Sequence, residues 1–364
     1  MMPTWRFPRA QIRRLAACTV AAIACAAVPC LSRAETDALT EKTAQAFWTG
    51  DFAALDKENE RLKHGKHIRP DGGWDLEYFR RGFGQVIGAH TEHSEPYLRE
   101  LETLTLQWAT EHPKSSLAHI LHAKVLVRHA WSYRGSGYAQ DVPPEAWADF
   151  RKYLQRAAQY LQDHADVAMT DSSAHELLIT IGTGLDWDIE TLKAIQQDGL
   201  KRNPDDIELY FDMLTPLLPR WHGNARILDN YIREATKQTQ ALFGMGMYAR
   251  LYSAAAEQEY GHALFENSLV DWPTMKKGYE DMQVRFPNSP ARRNYFAHMA
   301  CLAKDRPTLV ALLAELGNKV DVSLWGPNPE RSLESCQRWA KESPDESKDE
   351  KKPEKKGRAS PASL

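Results

Sequence analysis

The stretch His129–Val142, "HAWSYRGSGYAQDV", sets aromatic side chains, an arginine and a Gly-Ser-Gly turn between two helical patterns. A glycine-rich phosphate cradle needs a strand before the glycines, so that backbone N–H groups and a helix N-terminus point at the anion. Here a helix precedes them and no Gly-Lys-Ser/Thr follows. The segment therefore reads as a corner, with Gly135 and Gly137 allowing a left-handed helix exit and Pro143 and Pro144 suiting the first turn of the next helix.

Upstream, His119, His122 and His129 fall within about 80° of one another on a helical wheel, with Lys124 and Arg128 near the opposite side. Zinc would accept such a face if a fourth group arrived from another helix. A buried row of histidines bonded to carbonyls or tyrosines accounts for it as well, and no metal or cofactor is assigned. "HELLI", from His175, lacks the second histidine of a zinc-protease helix. In "GLDWDIE", Asp186 and Asp188 stand beside a turn, and sugar-cleaving chemistry would need two carboxylates about 5 to 9.5 Å apart. The simpler expectation is that Asp188 caps the helix "IETLKAIQQ" and Trp187 covers its first turn. Serine and cysteine nucleophile motifs are absent.

These residues must be carried by helices. From Thr36 to Ala340 apolar residues recur every three or four positions, and the best strand candidate, Asn318–Trp325, stands alone. The fold class is all-α. Short links rich in Pro, Gly, Asn and Asp separate helices of ten to twenty residues, so neighbours run antiparallel. Three links, "EHPKSSL", "RNPDDIE" and "FPNSPAR", share a grammar in which proline ends one helix and Ser or Asp starts the next. The expected architecture is an α-solenoid, a tetratricopeptide-like stack of antiparallel helix pairs, in a single domain over 35–342.

The segments "AWSYRGSGYAQDV", "AWADFRKYLQRAAQYL", "LTPLLPRWHGN" and "MYARLY" resemble the bacterial domain-of-unknown-function family numbered 4034. The likeness spans Trp48 to Trp339, and it rests on an Arg-Gly-x-Gly turn after a tryptophan-bearing helix and on a Leu-Leu-Pro-Arg-Trp segment. The resemblance implies a helical, tetratricopeptide-like, often exported protein and brings no particular chemistry with it.

The first 34 residues order themselves as a secretory signal: four arginines, a 17-residue apolar run ending at Leu31, then "SRA" before Glu35. Cleavage after Ala34 predicts a periplasmic or secreted mature chain with no transmembrane segment. Cys18, Cys25 and Cys30 leave with the signal, so Cys301 and Cys336 remain, an even pair that predicts one disulfide in an oxidising compartment. Two separately buried thiols are the alternative. The chain's formal charge of -3 becomes more negative once five arginines are removed, which excludes nucleic acid and anionic membrane as natural partners. The tail over 343–364 is charged, rich in proline and without an apolar face, and is expected to be disordered.

A helical repeat without a complete catalytic set points to protein or peptide binding. Trp131, Tyr133, Arg134, Arg220 and Trp221, at helix ends, are the candidate binding residues, since Arg and Trp favour interfaces. Their alternative role is structural, with arginine pairing an acid and capping carbonyls. The alternative function is an enzyme acting on cell-envelope polysaccharide through Asp186 and Asp188.

Overall fold

The computed structural model describes residues 37–342 apart from 65–67, 70–71, 89–94, 136, 138, 205 and 222. The expected signal peptide and tail lie outside the described residues. These residues form an all-α fold of helices packed in pairs, and among them the only extended pairing is an isolated bridge between Ile68 and Trp74. No helix among them is long and apolar enough to cross a membrane. They cluster into two compact units that part between Met213 and Leu214.

The first unit carries α1 (Ala38–Thr49), α2 (Phe52–Lys63), α3 (Asp75–Ile87), α4 (Glu95–Glu111), α5 (Ser116–Arg134), α6 (Ala146–Asp163), α7 (Ser172–Gly184), α8 (Ile189–Arg202) and the short α9 (Glu208–Asp212). Start signals in the sequence act as caps: Asp37 accepts from Leu39 N–H, Ser115 from Ala118 N–H, Asp171 from Ser173 N–H and Asp188 from Thr191 N–H. Helix α5 is buried on most of its sides, against α4, α6, α7 and α2. Its Leu121 and Val125 join Phe47, Phe79, Phe83 and Trp108 in one core cluster, while Leu126 and Val127 join Phe150, Leu154 and Ile181 in another. Phe52 stacks on the fully buried Trp108 at a ring separation of 4.4 Å.

The second unit carries α10 (Ala225–Gln238), α11 (Gly246–Ala255), α12 (Trp272–Arg285), α13 (Pro290–Leu302), α14 (Arg306–Leu316) and α15 (Pro329–Lys341). Asn224, Asp271, Ser289 and Asp305 cap four of them. Helix α11 runs into a π-helical turn over Ala256–Tyr260. Cys301 on α13 and Cys336 on α15 stand at disulfide distance, Cα to Cα 5.8 Å, both buried.

Two expectations are corrected. Asn318–Trp325 is no strand; it holds two 3₁₀ turns, Gly317–Lys319 and Val322–Leu324. The buried Asn294 side chain takes the place of a strand partner, donating to Lys319 C=O and accepting from Asp321 N–H and Trp325 Nε1. Three- and four-residue apolar spacing in "DIELYFDMLTPLL" predicts one helix, but the segment breaks at Met213 into Glu208–Asp212 and Leu214–Leu217. Asp206, placed by the shared link grammar to start that helix, accepts from Glu208 N–H and from the Ser172 hydroxyl.

Candidate functional site

The side chains of the opening corner contact one another and the local backbone. The Arg134 guanidinium lies 5.1 Å from the Trp131 ring and 5.5 Å from the Trp147 ring, and it donates to the carbonyls of Gly135 and Gly137 at 3.1 Å. Gly135 has φ +69°, the conformation its sequence position requires at a helix exit. Tyr133 Oη donates to Glu95 at 3.1 Å. In the second unit, Arg220 Nε pairs with Glu259 on the π-helical turn at 2.7 Å, and Trp221 closes the 3₁₀ turn Pro219–Trp221. Trp131 and Arg134 are thus brought together as a stacked helix cap, and Arg220 is an ion-pair partner; the contacts shown are those of the alternative structural role.

The histidine face is also internally bonded. His119 meets Tyr160 Oη at 2.9 Å, and His122 meets Thr105 at 3.0 Å. His129 is bonded to Glu102 through Nδ1 and to Glu95 through Nε2 at 2.6 Å. Among the described residues no group of three His, Cys, Asp or Glu side chains is arranged to hold a metal ion. Asp188 is spent as a cap, donated to by both the N–H and the hydroxyl of Thr191, and Asp186 sits at φ +58° in the tight turn before it.

A cleft of about 900 Å³ lies elsewhere in the first unit, bounded by α3, the ends of α2 and α8, α7, the link residues Asn203, Pro204, Asp206 and Ile207, and α9. At its neck stand Arg80 from α3, Lys124 from α5, Glu176 from α7 and Asp212 from α9. These four also border a smaller, mainly apolar recess of about 170 Å³ that includes Phe83, Leu117, Ile120, Leu121 and Leu177. Local sequence explains each placement. On α3, Phe79, Phe83 and Val86 turn into the core, and Arg80 follows Phe79 at the edge of that stripe. Lys124 interrupts the apolar run of α5, and Glu176 follows the fully buried His175, whose Nε2 bonds Asp198 at 3.0 Å.

Arg80 organises the charges. It lies 2.5 Å from Asp171, 3.7 Å from Glu176 and 3.9 Å from Asp206. Asp171 is 1% exposed. Burial pushes its carboxyl up, but Arg80 and Lys63, with donors from Ser173 N–H and Asn59, draw it down to about 2. Glu176 goes the other way. Its burial, with Asp206 as a hydrogen-bonded neighbour, raises the carboxyl well above the ordinary range despite Arg80. Burial likewise raises Asp212 well above that range, with Glu208 and Asp206 adding and Lys124 opposing. The Lys124 amine is lowered by burial, against the pull of Glu176 and Asp212. Perturbed groups of both signs lining one cleft make it the candidate functional site.

The cleft also collects buried polar atoms that lack a hydrogen-bond partner among the described residues: Trp74 Nε1, Asn203 Nδ2, Arg80 Nε and Glu176 Oε1. In a packed interior each would carry a desolvation penalty of about 1–3 kcal/mol. Sequence reading missed these residues. The available signal was Lys124, a lone lysine inside an apolar helix, together with Glu176, the second residue of a motif judged only for its missing histidine. No protein family, curated protein or solved structure matches this chain.

Proposed function

We propose that this chain is an exported member of the helical family it resembles, and that it binds a peptide segment of a partner in the cleft beside Arg80 and Glu176, without catalysis. The observation that carries the reading is the cleft of about 900 Å³ with four partnerless buried polar atoms at its wall. A volume of that order accommodates a short peptide or a ligand of similar size. These atoms belong to residues of the cleft wall, and a bound backbone that shifts those side chains would satisfy them. Export is supported by the arginine-led apolar leader and by the cysteine pair at bonding distance. N-terminal sequencing of secreted protein should begin at Glu35; an unprocessed chain retained in the cytosol would overturn that part.

Binding is tested by native mass spectrometry against a pooled tetrapeptide library, with Gly84→Phe as control. Gly84 lies on the cleft wall, is exposed, and an added Cβ there meets nothing within 4 Å. A larger side chain at this position fills the cleft while leaving the core packing alone. Capture of peptides by the wild type and not by Gly84→Phe supports the reading, and equal capture by both sinks it.

A second reading keeps the polysaccharide-processing enzyme but moves its acid pair. It is favoured by Glu176, a carboxyl beside Asp206 whose proton affinity is raised, the property a general acid needs. Hydrolysis of peptidoglycan or glycan fragments that disappears in Glu176→Gln would replace the binding reading with this one. No turnover removes it.

A further inference from the structure

We infer that the cleft takes a ligand bearing a primary ammonium or a guanidinium on an amide backbone, a lysine- or arginine-containing peptide, and that the cation settles among Glu176, Asp206 and Asp212 with release of protons to solvent. The inference rests on the reading of the cleft as a binding site and adds the chemistry of its occupant.

Charge balance at the neck is the first argument. Arg80, its strongest cation, is committed to Asp171 at 2.5 Å, a carboxylate sealed behind it. Lys63 is likewise held, by Glu60 at 2.9 Å and by Asp171 at 3.8 Å. Lys124 is left to face Glu176 and Asp212, while Asp206 and Glu208 stand behind them. The carboxyls therefore exceed the cations free to balance them. The cleft's outer cations are also paired, Arg81 with Glu77 and Arg202 with Asp198 at 2.8 Å. An anion entering at the neck would have to draw Arg80 from Asp171 and leave that carboxylate buried and uncompensated, which disfavours it.

Proton uptake is the second argument. Burial and the crowding of like charges raise the proton affinity of Glu176 and Asp212 in the empty neck, where Glu176 and Asp206 stand 3.7 and 3.9 Å from the one guanidinium they share. A ligand cation within about 4–6 Å reverses this, since an opposite charge favours the ionised form. Phe83, Ile120 and Leu177, in the wall of the recess behind the neck, lower the local dielectric and strengthen the attraction.

The partnerless atoms supply the third. Glu176 Oε1 has no hydrogen-bond donor, since Arg80 Nη1 stands off at 3.7 Å, and an ammonium or guanidinium provides one. Trp74 Nε1 and Asn203 Nδ2 are buried donors on the same cleft wall, and an amide carbonyl is the group that satisfies them. A bare amine would meet the first need only, whereas a basic peptide meets both.

The test is isothermal titration calorimetry of the full mature chain with N-acetyl-Gly-Lys-Gly amide and its arginine, norleucine and glutamate counterparts, in phosphate and in Tris buffer at pH 7. The lysine or arginine peptide should bind at least about tenfold tighter than norleucine. The buffer dependence of the heat should report net proton release, and affinity should climb with pH by up to about tenfold per pH unit for each proton released. Glu176→Gln and Asp212→Asn, near-isosteres of the protonated carboxyls, should keep the melting temperature while abolishing proton release and weakening the basic peptide about tenfold or more. Norleucine or glutamate peptides binding as well as the basic ones, with Gly84→Phe still abolishing capture, would overturn the cation and leave the binding reading standing. Binding of the basic peptide without proton release overturns the proton coupling. If neither these peptides nor any member of the pooled library binds at about 1 mM, both readings fail.

Discussion

Asp171→Asn separates charge from shape at the centre of the first unit. Asparagine caps a helix about as well as aspartate, so the Oδ1 bond to Ser173 N–H can persist, and the volume is unchanged. What disappears is the buried negative charge facing Arg80 at 2.5 Å and Lys63 at 3.8 Å. Holding this carboxyl at about 2 against an ordinary 3.8 corresponds to about 2.5 kcal/mol in favour of the folded, ionised form. Breaking one side of a buried ion pair typically costs about 3–5 kcal/mol because the survivor is stranded. Glu176 and Asp206 lie close enough to Arg80 to take up part of its charge, so the expected loss is at the lower end, about 3 kcal/mol. The sign with pH follows from the depressed value. The contribution is complete above about pH 4, the unfolded carboxyl's range, and is lost as pH falls through about 2. The wild type should therefore lose stability across that acid window, and Asp171→Asn should lose correspondingly less there. Urea denaturation read by peptide-resolved pulsed hydrogen exchange follows α3 and α7 separately from the second unit. A loss under about 1 kcal/mol at pH 7, or an unchanged acid window in the variant, refutes the assignment of Asp171 as the counter-charge of Arg80.

Burial lowers His129, but Glu102 and Glu95 on its two ring nitrogens outweigh it and raise the imidazole above 6.5. The stabilisation is present below that value and fades as pH rises through the folded one; histidine-ring NMR should show the raised value, and His129→Gln should remove the pH dependence of exchange in α4 and α5. Two glycines on α3 should respond oppositely to alanine. Gly84→Ala, open around its Cβ, should stabilise by about 0.5–1 kcal/mol, whereas Gly82→Ala would drive a Cβ to 2.5 Å from Thr43 Cβ and 2.6 Å from Thr40 C=O and should destabilise by about 1–3 kcal/mol, both read by chemical denaturation. Non-reducing peptide mapping should join the Cys301 and Cys336 peptides, and reduction should release α15 to exchange, with a loss of about 3–4 kcal/mol for a loop of 35 residues; free thiols in exported protein would contradict it.

Much of the fold was legible because it is local. Three- and four-residue apolar spacing, capping residues such as Ser115, Asp188, Asp271 and Ser289, and proline links specify helices through contacts within a few positions of one another. The pairing of Cys301 with Cys336 was legible too, since short links in a helical stack bring the first and third of three helices side by side. Where local pattern met a long-range partner it failed. Asn318–Trp325 alternates like a strand, yet the buried Asn294 side chain, from an earlier helix, holds it in turns.

The cleft belongs wholly to tertiary structure. Arg80, Lys124, Glu176, Asp206 and Asp212 come from five separate segments, and apart from Lys124, which interrupts an apolar run, each reads along its own segment as an ordinary charge on a helix edge or in a link. Lys124 lies opposite the histidine face of α5, which reads as solvent exposure if a helix has one buried side. Helix α5 is enclosed on several sides, so that second face borders the cleft instead. Periodicity within a segment determines which residues form a helix and which share a face. Which faces meet, and so which charges lose their water and shift their proton affinities, depends on packing between segments far apart in the chain, and that only the tertiary structure decides.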